Sequence, residues 1–76
     1  MDEVELYKSL GKRIKYLRED KNLTQEKLAE KSGLSLDFIG KIEVNINHPG
    51  LKSLLKISNA LNIHIKELFD FEKSKS

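Results

Sequence analysis

Apolar side chains recur along this chain at three- and four-residue steps. Leu6, Leu10, Ile14 and Leu17, joined by Tyr7, form one stripe, and Leu28 with Ala29 a second. Phe38, Ile39 and Ile42 make a third, and Leu51, Leu54, Leu55, Ser58 and Leu61 a fourth. This is the helical period, in which every third or fourth residue returns to one face. No stretch alternates with period two, so the pattern predicts an all-α chain. Helices are expected over residues 4–21, 25–32, 36–44 and 51–61, with a short fifth over 63–71 carrying Ile65, Leu68 and Phe69. Asn22 and Asn62 tolerate the left-handed backbone that ends a helix. Residues 45–50, NINHPG, contain the only proline and read as a loop. Residues 1–71 are expected to form one domain and 72–76, EKSKS, a polar disordered tail.

The stretch 23–43, LTQEKLAEKSGLSLDFIGKIE, organises the rest. Thr24 and Ser35 each stand where a hydroxyl can accept from an unpaired first-turn amide. Ala29 is small enough to let a second helix approach. Gly33 falls where the first of the two helices ends, because glycine enters the left-handed region without steric cost. Helix, tight glycine turn and helix amount to a helix-turn-helix, whose second helix often enters the DNA major groove.

Composition narrows the setting. Seventy-six residues without cysteine have no disulfide or thiolate metal site to lean on, so packing alone must hold the fold. The absence of cysteine is compatible with a reducing cytosol, and a cytoplasmic location is expected. The acidic start, MDEVELYK, lacks the layout of a signal peptide. No stretch approaches the roughly 20 apolar residues that span a bilayer, so no membrane partner is expected. The net charge of +2, from 14 basic and 12 acidic side chains, is far from that of a basic nucleic-acid tail. Lys8, Lys12, Arg13, Lys15, Arg18 and Lys21 nevertheless crowd the first third, either as a solvated helix face or as one turned to phosphate.

From Leu10 to Phe69 the chain resembles the Cro/C1-type (XRE-like) helix-turn-helix regulators. The matching residues are LGKRIKYLRE in the first helix, LTQEKLAEKSGLS through the turn, the Ile42–Glu43 pair, Pro49, the LLKISNAL run and the closing IKELF. The resemblance implies a compact five-helix domain of the lambda-repressor-like type around one core. It further implies a homodimer on a near-palindromic operator in double-stranded DNA, with the third helices in successive major grooves about 34 Å apart.

Carried over residue by residue, Leu36, Asp37, Gly40 and Lys41 match outward, base-reading positions. Lys41 suits guanine, Asp37 the amino group of cytosine and Leu36 a thymine methyl. Asp37 has a second reading, since an acid in a first helical turn favours the helix dipole without any partner. Gln25 matches a glutamine that holds a phosphate at a helix N-terminus, where unpaired amides already attract anions. Thr24, Ser35, Asn45, Asn47 and His48 are the other phosphate-facing candidates, although capping alone explains Ser35. Arg18 and Glu43 match a salt-bridged pair. Ile57, Ile65, Phe69 and Phe71 are more apolar than one small core covers and are candidates for a dimer interface.

Three departures bear on DNA binding. Val44 and Asn45 stand where the family has a basic residue and a glycine, and Ile46 and Asn47 replace commonly basic residues. Asn45 can still take the left-handed turn, but about three phosphate-facing charges are lost, which weakens binding and flattens its salt dependence. Leu36, Val44 and Ile46 then form an apolar cluster that suits a protein partner. The alternative function is therefore a protein-interaction module of the same fold, such as an antitoxin or a repressor's adaptor, with weak DNA binding. His48 and His64 stand 16 residues apart without a second metal-spaced ligand, and no phosphate loop or paired nucleophile is present. No enzyme activity and no cofactor are expected.

Overall fold

The computed structural model describes residues 1–74, arranged as α1 (Glu3–Asp20), α2 (Gln25–Ser32), α3 (Leu36–Glu43) and α4 (Leu51–Ala60), followed by two 3-10 turns, Ile65–Phe69 and Phe71–Ser74. The chain is all-helical among the described residues. Each helix start has its chemical cause. Asp2 Oδ1 accepts from the Glu5 amide at 2.9 Å, which begins α1 one residue earlier than the apolar pattern indicated. Thr24 Oγ1 accepts from the Lys27 amide and Ser35 Oγ from the Phe38 amide, both at 3.0 Å. Gly50 caps α4 without a side-chain bond.

The helix ends share one device. Asn22, Asn45 and Asn62 carry φ of 58°, 63° and 58°, the left-handed backbone that a short amide side chain tolerates. Gly33 does the same inside the tight turn, with φ 73°. Consequently α1, α3 and α4 each stop one residue before the expected end, with Lys21, Val44 and Leu61 as their caps.

The expected fifth helix is instead the pair of 3-10 turns. The seven residues between Asn62 and the non-helical Asp70, of which five turn as Ile65–Phe69, are too few to repay α-helix nucleation. His64 Nδ1 caps the first turn by accepting from the Lys66 amide at 3.1 Å. The second turn runs through Phe71–Ser74, into the stretch expected to be a disordered tail; residues 75–76 of that tail lie outside the described residues.

One core sits at the centre. Leu10, Ile14 and Leu17 of α1 meet Leu28 of α2, Ile39 and Ile42 of α3, Leu54, Ile57 and Leu61 of α4, and Leu68 of the first turn. On α4 the buried face differs from the expected stripe. Ile57 is 0% exposed and Leu51 73%, with Leu55 also outside, so the inward row is Leu54, Ile57, Ser58 and Leu61. Ile57 is therefore a core residue and is removed from the candidate dimer interface. The first-third lysines and arginines divide likewise. Arg13 and Arg18 are buried, not solvated, and Arg13 Nε donates to the Glu67 carbonyl at 2.8 Å, tying α1 to the first 3-10 turn.

α1 and α3 pack with unusual closeness at Gly11. A Cβ built there would lie 2.5 Å from the Ile42 carbonyl oxygen and 3.2 Å from that of Glu43. The absent side chain is what lets the end of α3 rest on α1.

Candidate nucleic-acid interface

The centre of the site is a buried charge network joining three helices. Arg18 of α1 donates through Nε to Glu43 Oε2 at 2.8 Å and through Nη2 to Oε1 at 3.0 Å, a two-pronged fit of guanidinium to carboxylate. Its Nη1 donates to the Leu23 carbonyl at 2.7 Å, just ahead of α2. The two side chains are 9% and 1% exposed. The hydrogen bond to Glu43 is the main reason that Arg18 holds its proton above the usual arginine range, with burial opposing it. The expected Arg18–Glu43 pair is thus present and buried.

Glu43 has one further partner. Gln25 Nε2 donates to Glu43 Oε1 at 3.0 Å, so the first residue of α2 is held against the last residue of α3. One amide hydrogen of Gln25 is spoken for by this bond, and the other faces away from it. Gly40 lies next to this contact, since a Cβ there would stand 3.6 Å from Gln25 Oε1.

The outer side of α3 carries two rows. Leu36, Gly40 and Val44 repeat every four residues, and Asp37 and Lys41 run beside them. Leu36, Asp37 and Val44 are exposed, while Gly40 and Lys41 are half-buried. Lys41 Nζ lies 3.0 Å from Asp37 Oδ2, so these two groups neutralise one another on the free protein. Pairing with Lys41, rather than the helix dipole alone, is the local partner of Asp37.

The loop after α3 returns to α1. The Lys41 carbonyl accepts from the amides of Ile46 and Asn47 at 2.8 and 3.2 Å, and the Ile42 carbonyl from Asn45 at 3.1 Å. His48 stacks flat on Tyr7 of α1, with ring centroids 3.9 Å apart and planes 4° from parallel. Asn45 Oδ1 is buried without a hydrogen-bond partner among the described residues, so the acceptor end of this expected phosphate contact is turned into the protein. Asn47 is half-buried, while Thr24, Ser35 and His48 are exposed.

A model described as Helix-turn-helix matches residues 14–68. The chain belongs to the Cro/C1-type helix-turn-helix family. The immunity repressor protein of Bacillus phage phi105 is 37% identical over 60 residues, which cover 79% of this chain and 42% of that protein. The HTH-type transcriptional regulator SinR of Bacillus subtilis is 34% identical over 62 residues, 80% of this chain and 56% of that protein. The chain thus spans about half the length of these two relatives. The crystal structure of the restriction-modification controller protein C.AhdI from Aeromonas hydrophila superposes with a TM-score of 0.82 at 38% identity, covering 83% of this chain and 96% of that one.

Within this family fold the remaining dimer candidates differ in exposure. Phe69 is exposed, and Ile65 and Phe71 are half-buried, their rings and chains packed partly on the core. Leu51 and Leu55 join Ile65 and Lys52 around an open apolar groove of about 500 Å³. The sequence pattern puts both leucines on one stripe with Leu54 and Leu61, because helical spacing does not say which of two adjacent rows turns inward. Gly11 also passed unnoticed. Its signal was an isolated glycine inside a long helical pattern, which costs helix stability unless something packs against it.

Proposed function

We propose that this domain is a sequence-specific DNA-binding transcriptional regulator that places α3 in the major groove of a near-palindromic operator as a homodimer. The observation that carries this reading is the outer face of α3 formed by exposed Leu36 and Asp37 with half-buried Gly40 and Lys41, beside a Gln25 that Glu43 holds at the start of α2. Gln25 then meets phosphate with its second amide hydrogen and the α2 N-terminus. Lys41 meets guanine, Asp37 a cytosine amino group and Leu36 a thymine methyl. A cytoplasmic location fits such a role, and among the described residues no helix is long and apolar enough to cross a membrane.

Fluorescence anisotropy on a duplex selected from random sequences tests the reading. Gln25→Ala should weaken binding to selected and random duplexes alike while leaving the salt slope nearly unchanged, because the contact it removes is neutral. Lys41→Ala should relax the preference at one base pair at a cost of about 1–3 kcal/mol. Leu36→Ala and Asp37→Ala should change which sequence is preferred more than how tightly any is held. Equal affinity for selected and random DNA, indifferent to Gln25 and Lys41, would sink the reading.

The exposure of Leu36, Val44 and Ile46 favours the second reading, a protein-interaction module of the same fold. Under it, those three side chains matter to a partner and Gln25 does not.

The homodimer is proposed to form across the Leu51, Leu55 and Ile65 groove. A second copy presenting the same leucines covers apolar surface that a lone domain leaves in water. Sedimentation equilibrium should show a dimer at high micromolar concentration without DNA, and Leu55→Glu a monomer. A wild-type monomer at that concentration would remove the dimer.

A further inference from the structure

The basic charge missing from the loop after α3 has a replacement on another helix. Lys8 and Lys12 of α1 stand one turn apart on the face that also contains Gly11. The close approach at Gly11 sets that face against the end of α3, and a cleft of about 380 Å³ lies there, lined by Lys8, Lys12, Glu43, Val44 and Asn45. Both lysines are exposed, and neither makes an ion pair with another described residue. The carboxylate of Glu43 does not cancel them, because both its oxygens are taken by Arg18. The cleft is therefore a site of net positive charge.

Three of the last four carbonyls of α3 do not need these lysines as caps. The carbonyls of Gly40, Lys41 and Ile42 in the last turn of α3 already accept from backbone amides of Val44, Ile46, Asn47 and Asn45. Val44 joins the cleft to the reading face, since it continues the Leu36–Gly40 row and also forms a wall of the cleft. The stack of Tyr7 on His48 fixes the loop against the same end of α1.

We propose that Lys8 and Lys12 bind neighbouring phosphates of the DNA strand that passes the C-terminal end of α3, supplying from α1 the charge that Val44, Asn45, Ile46 and Asn47 do not carry. The inference rests on the DNA-binding reading above and adds a second phosphate contact to the one at Gln25. Such contacts carry no sequence information; they hold the domain in register on the duplex and make binding salt-dependent.

The test is anisotropy at several salt concentrations with wild type, Lys8→Gln, Lys12→Gln, the double variant and Lys66→Gln, with melting curves for each. Each single change in the cleft should lower the salt slope by about one and the double change by about two, on selected and random duplexes alike. Melting temperatures should stay at the wild-type value, and Lys66→Gln, which removes the same charge from the first 3-10 turn, should leave the slope intact. A wild-type slope in the double variant overturns this inference alone and leaves the DNA-binding reading standing. An unchanged slope with a fall in melting temperature assigns the lysines to the fold, and an equal loss in Lys66→Gln reduces the effect to overall charge; both overturn it. Failure of the wild-type protein to bind any duplex overturns the functional reading and this inference together.

Discussion

Replacing Glu43 with alanine should cost this domain about 3–5 kcal/mol, because it leaves the buried Arg18 guanidinium without its carboxylate. For a domain of this size that lowers the melting temperature by about 15 °C or more. Truncating the other partner, Arg18→Ala, should cost a comparable amount, since Glu43 then keeps only the neutral Gln25 amide in a nearly water-free site. The penalty belongs to the stranded charge rather than to the bond. The pair replaced together by Arg18→Met and Glu43→Leu should therefore melt closer to wild type than either alanine variant. Circular-dichroism melts of the four proteins compare these stabilities, and alanine variants within about 1 kcal/mol of wild type would show the pair to behave as an exposed one. Arg18 has a raised pKa, so its contribution is present at every pH below the ordinary arginine range and lost only above it; the arginine adds no pH dependence near neutrality. Glu43 also anchors Gln25, so Glu43→Gln in protein that still folds should weaken DNA binding through a residue that touches no DNA itself.

Gly11→Ala is the second large effect, and its sign runs against helix propensity. In an open helix interior the change would add about 1 kcal/mol of stability. Here the new methyl meets two backbone carbonyl oxygens of α3, at 2.5 and 3.2 Å, which no side-chain rotation can clear. We expect a net loss of about 2–3 kcal/mol, read as a lower urea midpoint, with α3 pushed off α1. Gly40→Ala is the matched contrast. Its Cβ meets nothing closer than Gln25 Oε1 at 3.6 Å, so that variant should gain about 0.5–1 kcal/mol while changing the surface offered to the groove. Equal and small effects of the two substitutions would mean that the α1–α3 contact yields easily.

The local features of this chain were legible without coordinates because their causes are local. Thr24 and Ser35 cap as hydroxyls one residue ahead of a helix do, and α2 begins and ends at the predicted residues. Gly33 and the three asparagines turn left-handed because few other side chains do so without strain. The pairing of Arg18 with Glu43 was legible for a different reason, a family resemblance, and its burial was not.

What only the tertiary structure decided concerns choices the chain makes at a distance. Periodicity marked a stripe on α4 but not which neighbouring row faces the core, so Ile57 and Leu51 exchanged roles once α1, α2 and the first 3-10 turn were in place. The last segment is apolar enough for an α-helix, yet it tightens into 3-10 turns because too few residues remain before Asp70 and Leu68 must reach the core. Arg13 and Arg18 look like their solvated neighbours in the sequence and are buried because a carbonyl and a carboxylate from distant segments receive them. Lys8 and Lys12 acquire their place beside α3 through one missing methyl at Gly11, a contact between residues more than thirty apart, which no spacing along the chain encodes.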